Sequence, residues 1–253
     1  MTEARTGSQA IERSLAILDT FTAAEPDLGI SEIANRVGLS TSTAHRMIRA
    51  LVAGGMLEQG VHSDRYRLGY RAVVMGQIAA HNLGMTEVAG LLKRLAQSVG
   101  ESVSLGFLQG SEVVVAFRAE AREPLEFDRR PGAREFAHAS AMGKVLLAYS
   151  GNPRRAVADL GDLVAFTPAT VVDAGALIAE LAVVRANGFA INNRERRPDA
   201  SGVAVPVFDH DLRVKSALVV HGPSAHFGVE HRAGFVAALR ESAKLIGEAL
   251  AVT

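Results

Sequence analysis

Two short runs carry residue types that can do chemistry. The first is LSTSTAHRMIRALVAGGMLEQ, residues 39–59, in which Thr41, Ser42 and Thr43 precede His45, Arg46 and Arg49. Ala44, Met47, Ile48 and Leu51 recur at the spacing of a buried helical face, so the small hydroxyls and the basic groups fall outward. Small residues at a helix start permit close approach to the major groove of DNA. Arginine then suits bidentate contact with guanine or a phosphate oxygen. The second run is HASAMGKVLLAY, residues 138–149, where Ser140 can cap a buried helix whose first amides belong to Ala141, Met142 and Gly143. Unpaired N–H groups and the positive end of the helix dipole favour an anion there.

Catalytic readings find little support. Lys144 follows a glycine as in a phosphate loop, but the upstream glycine is misplaced and no Ser or Thr follows. Ser140 and Lys144 stand one residue too far apart for an S-x-x-K pair. His210, His221, His226 and His231 lack metal-ligand spacing. Neither an enzyme nor a cofactor is expected.

Composition narrows the class. The chain has 253 residues, 27 basic and 27 acidic, with 48% hydrophobic content and no cysteine. Balanced charge supplies no global attraction to nucleic acid or anionic membrane, so any basic surface must be local. The absence of cysteine removes disulfides and thiolate sites and fits a reducing cytoplasm. No signal segment and no membrane-spanning apolar run is evident, and a cytoplasmic protein without a membrane partner is expected.

The positioning elements follow from periodicity and turn signals. SQAIERSLAILDTF predicts a helix capped by Ser8, with Ile11, Leu15, Ile17, Leu18 and Phe21 mostly on one stripe. ISEIANRVG predicts a short helix capped by Ser31 and ended by Gly38. The opening run forms a third, capped by Ser40 or Ser42. GMLEQGVHSDRYRLG predicts a hairpin wing in which Arg65 and Arg67 share one face and Tyr66 and Leu68 pack inward. Between Gly38 and Arg71 five arginines face two acids, Glu58 and Asp64, although the first 83 residues hold eight basic and eight acidic groups. The surplus lies on the third helix and the wing. Residues 70–82 form an apolar helix with Val74, Met75, Ile78 and Ala79 clustered, suited to packing against a second copy. The remainder mixes helices and strands as an α+β domain. A strand is expected near Leu125–Asp128, a loop over RRPGAREFAHAS, strands over FAIN, GVAVPVFD and VKSALVVHG, and a closing helix.

In order, the blocks QAIERSLAILDTF, GISEIANRVGLSTSTAHRMIRALVAGGMLE, DRYRLG, HASAMGKVLLAY, VRANGFAIN and VAVPVFD…HGP resemble the IclR family of bacterial transcriptional regulators over nearly the whole chain. The resemblance implies a winged helix-turn-helix over 1–69, a linker and dimerisation helix over 70–83, and a GAF-like effector domain over 84–253. It also implies double-stranded operator DNA, a small carboxylate effector and a homodimer or tetramer as partners. Thr41, Ser42, Thr43, His45, Arg46, Arg49, Arg65 and Arg67 are then the DNA-binding candidates. Ala141, Met142, Gly143, Asn192, Gly202, Val219 and His221 are the effector-binding candidates. Family pockets often carry an acid, a cysteine and small hydroxyls where this sequence has Asn192, about Gly202, Val219 and His221. That change points from small oxygenated acids toward more apolar or aromatic ones.

Overall fold

Two compact units divide the computed structural model, Met1–His81 and Asn82–Thr253, and the described residues are 3–22, 25–82, 84–120 and 132–251. In the first unit, α1 (Glu3–Leu18) is followed by β1 (Leu28–Gly29), α2 (Ile30–Arg36), α3 (Thr41–Ala53), β2 (Leu57–Gln59), β3 (Arg65–Leu68) and α4 (Tyr70–Asn82). Ile17, Phe21, Leu28, Ile33, Ala44, Ile48, Leu57 and Tyr66 form its core. The wing is antiparallel, with Leu57 opposite Leu68 and Glu58 opposite Arg67.

Several local expectations change. Ser8 lies inside α1, where its hydroxyl donates to Glu12, so it caps nothing. Ile11 and Leu15 of that helix are exposed while Ile17 and Phe21 are buried, because only the C-terminal end of the stripe meets the core. Ser31 lies within α2, and the Glu32 carboxylate instead accepts the Gly29 N–H at 2.7 Å. Leu28–Gly29, ahead of the second helix, adds a third antiparallel strand beside β3. Leu68 is 44% exposed, and Tyr66 is the one buried residue of β3.

The second unit places α5 (Met85–Val99), β4 (Ser102–Gln109), β5 (Glu112–Ala119) and β6 (Arg134–Phe136) before a 3-10 turn at Ala137–Ala139. Helices α6 (Ala141–Ala148), α7 (Pro153–Ala158) and α8 (Ala174–Asn187) come next. Strands β7 (Ala190–Asn193), β8 (Ala200–Phe208) and β9 (Val214–Pro223) lead into α9 (Val229–Ala251). The six strands form one antiparallel sheet in the order β6-β5-β4-β9-β8-β7. Helices α5 and α9 cover one face through Leu92, Leu105, Val203, Leu218 and Ile246. Helices α6, α7 and α8 cover the other through Val113, Met142, Val157, Leu181 and Val219. With both faces covered, β8 and β9 read as continuous apolar runs rather than alternating ones. β6 occupies part of the expected loop, where pairing with β5 completes the sheet. The strand expected near Leu125–Asp128 lies outside the described residues.

Inside the apolar layer sits Lys144, fully buried, its Nζ 2.6 Å from Glu195 and 2.7 Å from Glu180. Burial pushes the Glu195 carboxyl above its ordinary value, against the pull of Lys144. Removing one partner of a buried pair leaves the other uncompensated, so Lys144→Met should destabilise the unit by about 3–5 kcal/mol. A raised folded pKa means the native state holds a proton that the unfolded state has released, so stability falls as pH rises through that pKa. Without Lys144 the Glu195 value rises further. The variant's melting temperature should therefore drop, relative to the parent, between pH 5 and pH 8, and calorimetry at the two pH values checks it.

Candidate functional site

The first candidate surface is built on α3. Ser40 caps it, its Oγ accepting the Thr43 N–H at 3.3 Å and lying 2.9 Å from the Thr43 hydroxyl. Thr43 is half-buried and occupied by the cap, while Thr41 and Ser42 are exposed. Ser42, His45, Arg46 and Arg49 then recur at i, i+3, i+4 and i+7 on the exposed face, opposite buried Ala44 and Ile48. Among the described residues no ion pair involves His45, Arg46 or Arg49. At the other end of the helix, Arg71 donates to the Gly54 carbonyl at 3.0 Å, where the helix dipole is negative.

The wing arginines differ. Arg65 Nη2 lies 2.8 Å from Glu32 and donates to the Asp27 carbonyl at 2.8 Å; Arg67 Nε lies 2.6 Å from Glu58. The Gly29 N–H, followed by Arg65, holds the Glu32 carboxyl below its ordinary value. Much of the wing's basic surplus is thus neutralised within the unit. All four side chains are about half exposed, and such pairs exchange readily with solvent ions.

In the second unit the sheet register brings several sequence-derived candidates into line. Asn192 stands opposite Gly202, Gly202 opposite His221, and His221 opposite Ser102. The next row on the same face runs Ala190, Ala204, Val219 and Ser104. This face packs against α6, and Met142 reaches β4 so closely that a Cβ at Gly106 would stand 3.1 Å from its Sδ. Asn192, His221, Ser102 and Ser104 are all buried, and His221 Nε2 lies 3.1 Å from the Ser104 hydroxyl.

Each of these residues also has a partner or packing role within the unit. Asn192 donates to the Ala139 carbonyl at 2.8 Å and accepts the Glu195 N–H at 3.0 Å, so it braces the start of α6. Ser140 caps α6 through the Gly143 N–H at 3.0 Å, which commits that amide internally. Gly143 is required by packing: a Cβ there would overlap the backbone of Ala137. Ala141 and Met142 are buried at the positive end of the helix, and Val219 belongs to the apolar layer beneath it. Beside this start, His138 Nε2 donates to the Val164 carbonyl at 2.9 Å, and burial lowers its pKa. The late histidines are dispersed: His226 lies 2.6 Å from Glu101, His210 3.5 Å from Asp211 and His231 3.5 Å from Glu230. No group of three or more metal-ligating side chains occurs among the described residues.

Sequence reading missed Glu180, Glu195, Ser102 and Ser104. A lysine inside the run AMGKVLLAY signals that acids must surround it, but not which ones. The two serines alternate with Val103 and Leu105, which marked a two-faced strand without showing what lies above it.

Comparison with known proteins gives a consistent picture. The IclR helix-turn-helix domain matches residues 10–60, and the bacterial transcriptional regulator IclR C-terminal domain matches residues 77–248. The transcriptional regulator XynR of Escherichia coli is 32% identical over 96% of this chain and 97% of its own. The regulator BhcR of Paracoccus denitrificans is 34% identical over 86% and 78%. An IclR regulator structure from a Silicibacter species superposes with TM-score 0.85 at 25% identity, covering 95% of this chain and 96% of that one. An IclR homologue from Microbacterium hydrocarbonoxydans, solved with 4-hydroxybenzoate, gives 0.79 at 30% identity, covering 95% and 98%.

The start of α6 can be probed by two substitutions. Ser140→Ala should cost about 1 kcal/mol through the lost cap. Gly143→Ala should cost about 1–3 kcal/mol by overpacking against Ala137. Urea midpoints of the ligand-free protein measure both, and an unshifted midpoint for Gly143→Ala would refute its packing role.

Proposed function

Because the chain belongs to the IclR family of bacterial transcriptional regulators, we propose that it binds a near-palindromic operator as a dimer or a dimer of dimers. A small organic acid bound in the second unit controls that binding. The carrying observation is the exposed stripe of Ser42, His45, Arg46 and Arg49 on the second helix of a helix-turn-helix. On this reading Thr41, Ser42 and Thr43 allow the helix to enter the major groove, and His45, Arg46 and Arg49 meet base edges and phosphates. Arg65 and Arg67 contact backbone by exchanging Glu32 and Glu58 for phosphate. The protein acts where bacterial chromosomal DNA lies, in the cytoplasm, and its role is regulatory rather than catalytic.

Dimerisation is assigned to residues 70–82. No side chain of α4 is buried, and Val73, Val74, Met75 and Ile78 are 48–59% exposed, an apolar face that a second copy would cover. The acid is placed on the floor of Asn192, Gly202 and His221 below the start of α6, with Val219 limiting fit. The relative solved with 4-hydroxybenzoate supports an aromatic acid, as does Val219 at a place where family pockets often have a hydroxyl.

Two-fold symmetry sets half-sites about 34 Å apart or a multiple of that. At fixed salt, Arg46→Ala should weaken operator binding by about 1–3 kcal/mol and relax preference at one position. Arg67→Ala should weaken all sequences alike and reduce the salt slope by about 1. Unchanged affinity in both variants, read by mobility shift, would refute this docking. Ile78→Glu should give monomers by sedimentation with loss of operator binding; a variant that remains dimeric and active would refute the α4 interface. Aromatic and longer-chain acids should raise the melting temperature more than pyruvate-like acids do, with Val219→Ser narrowing the difference.

A further inference from the structure

Arg118 lies near the end of β5, and the residues around it divide between two faces. Val113 and Val115 face α6 and belong to that apolar layer, whereas Phe117 and Ala119 pack on the α5 and α9 side. An unbroken strand would keep all four on one face. The ladder slips between Leu105 and Gly106: Leu105 pairs with Phe117 but Gly106 pairs with Val115, leaving Ala116 as an extra residue. This bulge reverses the alternation and sets Arg118 opposite Ser104, on the face beneath α6. Its Nη2 lies 3.4 Å from the Ser102 hydroxyl, and Ser102 is the register partner of His221. A guanidinium, two hydroxyls and an imidazole therefore adjoin on a sheet face that also carries Asn192 at β7 and Glu135 at β6, with alanine and valine between.

We propose that Arg118, with Ser102 and Ser104 beside it, is the carboxylate-recognising residue of the effector site. The proposal rests on the effector reading above and names the group that makes the ligand an acid. Magnitude favours the arginine over the helix start. A helix N-terminus presents roughly half an elementary charge, and the Gly143 amide is already committed to Ser140. A guanidinium presents a full charge in a planar fork matched to the two carboxylate oxygens. The hydroxyls of Ser102 and Ser104 add donors to the same anion, and His221 orients Ser104 through their 3.1 Å contact. Asn192, braced against Ala139 and Glu195, shapes the floor instead.

The test is calorimetric titration of the full-length protein with three acid and amide pairs: benzoate and benzamide, decanoate and decanamide, pyruvate and pyruvamide. The quantity read is the ratio of amide Kd to acid Kd within each protein, which cancels losses from partial unfolding. The parent should prefer at least one acid. Arg118→Met should lower that preference by about 10–100-fold, the loss expected for a charge-assisted hydrogen bond, and Arg118→Lys by several-fold because the fork is gone. If Arg118→Met does not fold, Arg118→Lys and Arg118→Gln are read in the same way. A preference unchanged in the variants overturns the role of Arg118 while leaving the effector reading intact. Failure of the parent to bind any of the three acids overturns both.

Discussion

A lysine side chain shut off from solvent must find its counter-charges within the protein, and in the second unit that requirement organises everything near α6. Lys144 draws Glu180 from α8 and Glu195 from the segment after β7 to within hydrogen-bonding distance. Leaving Lys144 or Glu195 charged and alone in that layer is far costlier than losing a single surface contact. Glu195 in turn presents its N–H to Asn192, which reaches the Ala139 carbonyl just ahead of α6. The Thr170 hydroxyl meets the Glu195 carbonyl, and the Thr167 hydroxyl meets that of Arg194. Two loops, two helices and one strand end are thus referred to one charge, and the start of α6 is held at a fixed height above the sheet. The proposed ligand floor depends on that height.

The DNA-binding unit reaches specificity by a different route. Its core is small, and α3 is held by Ala44 and Ile48 on one side and by a serine cap at its start. Nothing within the described residues neutralises Arg46 or Arg49, whereas both wing arginines already have acidic partners. A helix with uncommitted cations and a wing with exchangeable ones suit different contacts. On the proposed docking the former meet bases, and the latter yield to phosphate only when the exchange is favourable.

Much of this was legible in the sequence. The helix-turn-helix order, the wing and the buried AMGKVLLAY helix follow from periodicity, capping residues and glycine positions, which are local properties. The errors were also local in kind. Ser8 and Ser31 have cap chemistry but sit inside helices, because α1 already runs from Glu3 and α2 is entered from Gly29. Leu68 and Ile11 are apolar yet exposed, because hydrophobicity says that a side chain can be covered and not that this chain covers it.

By itself the sequence determined most of the helices and the long strands, though not β1 or β6, and also that Lys144 would be surrounded by apolar neighbours and that the exposed face of α3 is basic. Only the tertiary structure decided which acids meet Lys144, that Asn192 serves as a brace, and that Arg118 shares a face with Ser104 and His221. The physical reason lies in the side-chain period of a strand. That period is two only while the ladder is unbroken, and one extra residue reverses every side chain beyond it. No property of EVVVAFRA announces the bulge at Ala116; it exists because β4 and β5 must fit each other and the layers packed against both.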